Sequence, residues 1–138
     1  MKPIEGEAPL FENLDIFRMS HAMATHAGAR QALVAQNMAN ADTPGYAARD
    51  LSPFQQLYRH DGSPLLPHAT RASHLFGQGN PVAFEPHLDT GAQSDPNGNS
   101  ISIETEMLRA VDVKRQHDRA IAIYRSSLTV LRTALGRG

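Results

Sequence analysis

Residues 102–135 contain no proline and no glycine, and within that run Ile103, Met107, Ala110, Lys114, His117, Ile121, Tyr124, Leu128, Leu131 and Leu135 follow one another in alternating steps of four and three. Eight of those ten positions are apolar, which is the repeat of a heptad helix of about 34 residues, roughly 51 Å long. Ser102 stands where an N-cap belongs, and Glu104 and Glu106 favour the positive end of the helix dipole. A second stripe of smaller residues, Val113, Ala120, Ile123, Ser127, Val130 and Ala134, lies beside the first. A helix with two such stripes cannot bury both against one partner, so it calls for more than one helical neighbour.

Prolines and glycines are concentrated elsewhere, with seven of nine Pro and six of ten Gly falling within residues 42–100. Ahead of them, residues 16–40 carry Ile16, Met19, Met23, Ala27, Val34 and Met38 at helical spacing, with Ala41 next in line, and contain no proline. That helix should stop at Asp42-Thr43-Pro44-Gly45-Tyr46, because Pro44 drives Thr43 out of the α region and Gly45 supplies the positive φ of a type II turn. The chain divides accordingly into an N-terminal segment and helix over 1–41, an irregular middle over 42–100 that starts with the Thr-Pro-Gly-Tyr turn, and a C-terminal heptad helix over 101–138. The middle holds short apolar clusters, Phe54 with Leu57 and Tyr58, Leu65-Leu66, Leu75-Phe76 and Val82-Ala83-Phe84, separated by turn residues. The expected fold is all-α: two long terminal helices joined by a Pro/Gly-rich excursion with short β elements.

Many functions are disfavoured by composition. At 138 residues the chain has the length of one domain, not of a two-domain enzyme. A net charge of −1 offers no basic field for a nucleic-acid backbone. No apolar run reaches the roughly 18 residues of a membrane span, and the start, with acids and a proline in place of an apolar run, gives no reason to expect a cleaved secretion signal. The absence of cysteine excludes disulfides, thiolate nucleophiles and Cys-based metal sites.

Sharper chemical readings meet physical objections. Asp95, Asn97 and Asn99 followed by Glu106 imitate a calcium loop, but the position that needs glycine for the sharp turn is Ser100, and Pro86 and Gly91 forbid the entering helix. A turn leading into a helix is the expected structure. His21 and His26 are five residues apart, about 140° around a helix, and cannot readily share a metal. His60, His68, His74 and His87 have no ligand spacing, and His117, with Lys114, reads as a polar interruption of the heptad row. Gly77-Gln78-Gly79 lacks the strand and helix of a nucleotide loop, and Asp112 and Asp118 read as a solvated face. No catalytic, cofactor or metal site is expected. Asn37 and Asn40, taken alone, are hydrogen-bonding residues at a helix C-terminus.

One segment says more. The run from Arg30 to Asp50, with its core Asn37-Met38-Ala39-Asn40-Ala41-Asp42-Thr43-Pro44-Gly45-Tyr46, resembles the N-terminal signature of the bacterial flagellar axial proteins, which build rod, hook and filament junctions. The continuation Ala48-Arg49-Asp50-Leu51, the segment Ile101-Ser102-Ile103-Glu104-Thr105-Glu106-Met107, the short length and the ending Ser127-Leu128-Thr129-Val130-Leu131-Arg132-Thr133-Ala134-Leu135 resemble the FlgB family of proximal-rod proteins. The other short rod family, FlgC, is the nearest alternative, but Tyr124 is followed here by Arg125-Ser126-Ser127, not by that family's Gln-Ala-Asn-like run. A small helical ligand- or metal-binding module is the alternative from another class.

The resemblance implies a structural subunit with no cofactor, exported by the flagellar type III apparatus and placed in the basal body rod on the periplasmic side of the inner membrane. Its partners would be copies of itself, other rod proteins, basal body ring and rod adaptor proteins, and the export apparatus, with no nucleic acid and no membrane span. It implies that the terminal helices pair as a coiled coil in a shaft that transmits torque and encloses the export channel. The matching signature positions are Asn37, Ala39, Asn40, Asp42, Thr43, Pro44, Gly45, Tyr46, Arg49 and Asp50. Ile103, Met107, Ala110, Ile121, Tyr124, Leu128, Leu131 and Leu135 are the expected packing and assembly positions.

Overall fold

The protein is described by a computed structural model covering residues 7–58 and 84–136. The Leu65-Leu66, Leu75-Phe76 and Val82-Ala83 clusters, His60, His68, His74 and Gly77-Gln78-Gly79 lie outside the described residues.

Two helices of 33 residues each dominate, α1 over Glu7–Ala39 and α3 over Ile103–Leu135, each about 50 Å long. Helix α1 begins well before Ile16, with Pro9 in its first turn, where a backbone N–H has no intrahelical acceptor to lose. Helix α3 is capped at Ser102, whose Oγ accepts from the Thr105 N–H, and closes with the Gly136 N–H donating to the Arg132 carbonyl at 2.8 Å. The two helices pack along one another in opposite directions, with Phe17 beside Tyr124 near one end and Asn37 bonded to Glu106 near the other.

The buried positions recur every seven residues on both helices. On α3 they are Glu106, Val113, Ala120 and Ser127; on α1, Ser20, Ala27 and Val34. Seven residues are nearly two turns, so each set faces one way, and small side chains along it let the two axes approach closely. The line between the helices therefore takes Val113, Ala120 and Ser127 from the small-residue stripe of α3, whereas Ile123 of that stripe is half-buried and Val130 and Ala134 are exposed. The larger stripe lies to its side: Ile103, Met107, Tyr124 and Leu135 are exposed, while Ala110, Ile121, Leu128 and Leu131 are half-buried. Bulky residues at Val113, Ala120 or Ser127 would hold the helices apart, and Glu106, the large member of the line, sits near its end, where Asn37 and Arg109 bond it.

Between the helices, β1 (Arg49–Asp50) pairs antiparallel with β2 (His87–Leu88) in the register Arg49↔Leu88 and Asp50↔His87. A single helical turn, α2 (Phe54–Leu57), follows Pro53. Ala48, Leu51 and Phe54 are buried, as are Ala22, His26 and Leu33 on a second face of α1, and the His26 and Phe54 rings meet at 5.6 Å. The turn after α1 has Gly45 at φ +75° and a Tyr46 N–H to Thr43 carbonyl bond of 3.2 Å, as a type II turn requires. Among the described residues, no helix is long and apolar enough to cross a membrane.

Candidate functional site

The chain's polar chemistry converges where α1 ends, β1 runs and α3 begins. Asn37, fully buried, fills all four of its hydrogen-bonding positions. Its Nδ2 donates to the Arg49 carbonyl at 2.7 Å and to Glu106 Oε2 at 3.2 Å. Its Oδ1 accepts from the Arg49 N–H at 3.2 Å and from the Tyr46 hydroxyl at 3.4 Å. Residue 49 turns its backbone away from β2, so the Asn37 amide takes the place of a further strand, and only a short carboxamide on the last turn of α1 can do so.

Charges complete the junction. Asp50 accepts from Arg30 Nε and Nη2, each at 2.8 Å, and from its neighbour's N–H, Leu51, at 2.8 Å. Arg109, from α3, stands 3.5 Å from Asp50, bonds Glu106 at 2.8 Å and pairs with Asp89 just past β2. Burial by itself would push the Asp50 carboxyl up, but the Arg30 and Leu51 hydrogen bonds and the charges of Arg30 and Arg109 hold it below its ordinary value. Three carboxylates and two guanidiniums from both long helices, β1 and the residue after β2 thus interlock.

A second clasp holds the turn. The Asn99 side chain, 1% exposed, donates to the Asn40 carbonyl at 2.9 Å and the Thr43 carbonyl at 2.7 Å, and accepts from the Ile101 N–H at 2.8 Å. It therefore caps the C-terminus of α1 while ordering the approach to α3. The Asn97 carbonyl accepts from the Gly45 N–H at 3.1 Å, and Gly98, at φ +81°, passes so close that an added Cβ would lie 3.3 Å from Gly45 Cα. Asn97 and Asn99, which imitate calcium ligands in sequence, spend their side chains on backbone groups. Among the described residues, every buried side-chain polar atom has a partner and no group of acidic or histidine side chains is arranged to hold a metal. Such a junction fixes how α1, β1 and α3 meet.

The structure brings Asn37, Tyr46, the Arg49 backbone and Asp50 into one junction and ties Asn40, Thr43 and Gly45 into the adjoining turn. Ala39, Asp42 and Pro44 are exposed beside it. Sequence reasoning overlooked Glu106, Arg30, Arg109, Asp89, Asn99 and His26 as partners in this region. Glu106 could have been found, since it lies seven residues before Val113 on the line of Ala120 and Ser127, where a carboxylate demands a buried partner. Asp89 and Asn99 carry no such signal, because their roles depend on where loops return.

Away from the junction, α3 leaves Met107, Leu108 and Val111 exposed at 56%, 69% and 48%. Val111 continues into an apolar groove of about 620 Å³ between the helices, floored by Ala27, Gly28, Ala110 and Val113 and edged by Lys114 and His117.

No family model matches the chain. Similarity to curated proteins is extensive. The chain is 29% identical over 122 residues to a flagellar basal body rod protein FlgB of Agrobacterium fabrum, covering 82% of this chain and 87% of that protein. It is 30% identical over 107 residues to the FlgB of Cereibacter sphaeroides, covering 77% and 82%, and 27% identical over 116 residues to that of Yersinia ruckeri, covering 79% and 85%.

Proposed function

The chain belongs to the FlgB family of flagellar basal body rod proteins and is a structural protein of the flagellum; from that premise we propose that it builds the proximal part of the rod, the shaft that transmits motor torque and encloses the export channel. As a rod protein it assembles with other rod and basal body components. On our reading these are further copies of itself, neighbouring rod proteins, and the ring and adaptor proteins beneath them, reached on the periplasmic side after passage through the type III export apparatus.

In this proposal α1 and α3 pair as a coiled coil within each subunit and the larger stripe of α3 packs between subunits. The observation that carries it is the exposed apolar row. Ile103, Met107, Tyr124 and Leu135 of that stripe are exposed, and Leu108 and Val111 beside it add further exposed apolar surface, on a helix whose inner line is already satisfied by α1. Contiguous apolar surface of this kind marks an interaction site. The signature residues serve as the junction that fixes how the helices and the 42–100 segment meet, and they perform no chemistry.

The absence of cysteine permits a direct test. Met107→Cys and Val113→Cys are placed singly in cells lacking the native protein, and isolated basal bodies are treated with a photoactivatable thiol cross-linker. Met107→Cys should cross-link to adjacent rod subunits and Val113→Cys, on the inner line, should not. Basal bodies that contain the Met107→Cys protein but yield no cross-link would overturn the assignment of this face.

A further inference from the structure

We propose that His26 is a proton-sensitive latch that holds the segment from Ser52 through α2 on the helix pair and releases it in mildly acidic solution. His26 has no exposed surface and connects three stretches of chain. Its Nε2 lies 2.8 Å from the Ser52 carbonyl and its Nδ1 2.8 Å from Gln116 Nε2 on α3, while its ring meets Phe84 edge-on at 4.8 Å and Phe54 at 5.6 Å. One neutral tautomer satisfies both polar contacts: Nε2–H donates to Ser52 and Nδ1 accepts from Gln116.

Protonation adds a hydrogen on Nδ1 that points at the Gln116 amino group, donor against donor. Gln116 cannot answer by turning its amide over, because the same Nε2 donates to the Met23 carbonyl at 3.1 Å and the flipped oxygen would face that oxygen. The charged groups facing the ring are Arg30 on α1 and Asp50 on β1; α3 presents the neutral Gln116, the exposed Asp112 acts on Arg30 only through its charge, and the other neighbours are Ser52 and the rings of Phe54 and Phe84. Asp50 favours the imidazolium, but its oxygens are already held by Arg30 and the Leu51 N–H. Burial, reinforced by Arg30, outweighs the favourable contacts and lowers the imidazole's proton affinity below its ordinary value of 6.5.

The sign follows from linkage. The closed state binds the proton more weakly than the opened one, so closure is complete above pH 6.5 and is lost as the pH falls from there through the closed-state value. Within that window the opening constant rises by at most about tenfold per pH unit, the limiting slope of one linked proton. The helix pair itself remains joined through Asn37–Glu106 and the small-residue line.

The test uses the full chain. NMR follows the His26 imidazole between pH 8 and 5, and hydrogen exchange, corrected for its intrinsic pH dependence, follows the Gln56 and Tyr58 amides of the α2 segment and the Ala120 amide of α3. His26 should titrate below the ordinary imidazole value of 6.5, with protection at Gln56 and Tyr58 falling by up to about tenfold per pH unit below 6.5 and Ala120 unaffected. In Gln116→Glu the carboxylate also faces the Met23 carbonyl, but its charge-assisted bond to the new Nδ1 hydrogen outweighs that contact, so His26 should titrate higher and the pH dependence of protection should flatten. Titration of His26 at or above 6.5, protection at α2 that ignores pH, an equal loss at Ala120, or an unchanged slope in Gln116→Glu would each overturn the latch.

Discussion

Asn37 near the end of α1 and Glu106 in the first turns of α3, 69 residues apart in sequence, share a buried hydrogen bond of 3.2 Å while Asn37 also bonds both backbone groups of Arg49. The two helices and β1 are therefore registered by a single carboxamide. Asn37→Ala strips partners from the Arg49 N–H and carbonyl, and each unsatisfied buried group costs about 1–3 kcal/mol. We expect Asn37→Ala to lower the stability of the free subunit by about 2–4 kcal/mol in urea unfolding, and Asn37→Asp, which sets a second carboxylate against Glu106, to lower it further. An Asn37→Asp protein as stable as the native one would show that this junction does not hold the fold.

Asp50 sets the acid limb of stability. Its folded-state value lies below the ordinary 3.8, so the stability it contributes is fully present above about pH 4 and is lost as the pH falls through the folded value. Asp50→Asn should flatten that limb and, at neutral pH, cost about 2–4 kcal/mol by leaving Arg30 and Arg109 under-paired. Thermal melts of both proteins from pH 2 to 7 provide the comparison; parallel curves would count against the Arg30 pair.

The two glycines of the turn contact are expected to differ. Gly45 and Gly98 both have positive φ, but a Cβ at Gly45 meets open space and one at Gly98 meets the Gly45 backbone at 3.3 Å. Gly45→Ala should cost about 1 kcal/mol, the strain of a left-handed residue, and Gly98→Ala about 2–3 kcal/mol, since backbone must also shift. Equal losses for the pair in chemical denaturation would place the cost in backbone conformation alone.

Inner and outer stripes of α3 separate folding from assembly. Val113→Asp removes about 1.5–3 kcal/mol of apolar burial and buries an unpaired carboxylate, so the free subunit should lose its cooperative melt. Met107→Asp, at an exposed position, should leave that melt within about 0.5 kcal/mol and yet abolish rod incorporation and motility. Normal basal bodies from Met107→Asp cells would mean that the outer stripe is not a subunit contact.

Local information wrote much of this protein into its sequence. The Pro- and Gly-free run starting at Ser102, its cap at that residue, and the Thr43-Pro44-Gly45-Tyr46 turn each follow from the conformational preferences of a few adjacent residues, and each stands in the structure where the sequence placed it. The start of α1 was less legible, because the apolar spacing is taken up only at Ile16 while the helix begins at Glu7, with Pro9 tolerated in its first turn. The signature run from Asn37 to Asp50 was visible as a pattern, but not as a junction.

Tertiary structure decided what the preferences of neighbouring residues leave open. Both stripes of α3 have helical period, and only the approach of α1 selects Val113, Ala120 and Ser127 over the more apolar row, because close-packed helices admit small side chains at their line of contact. Glu106 reads as a dipole-favouring acid until Asn37 and Arg109 are seen to enclose it, and His26 as an unpaired histidine until Ser52 and Gln116 meet its two nitrogens. A buried polar side chain is defined by partners dozens of residues away, and sequence specifies the need for such a partner long before it reveals which residue supplies it.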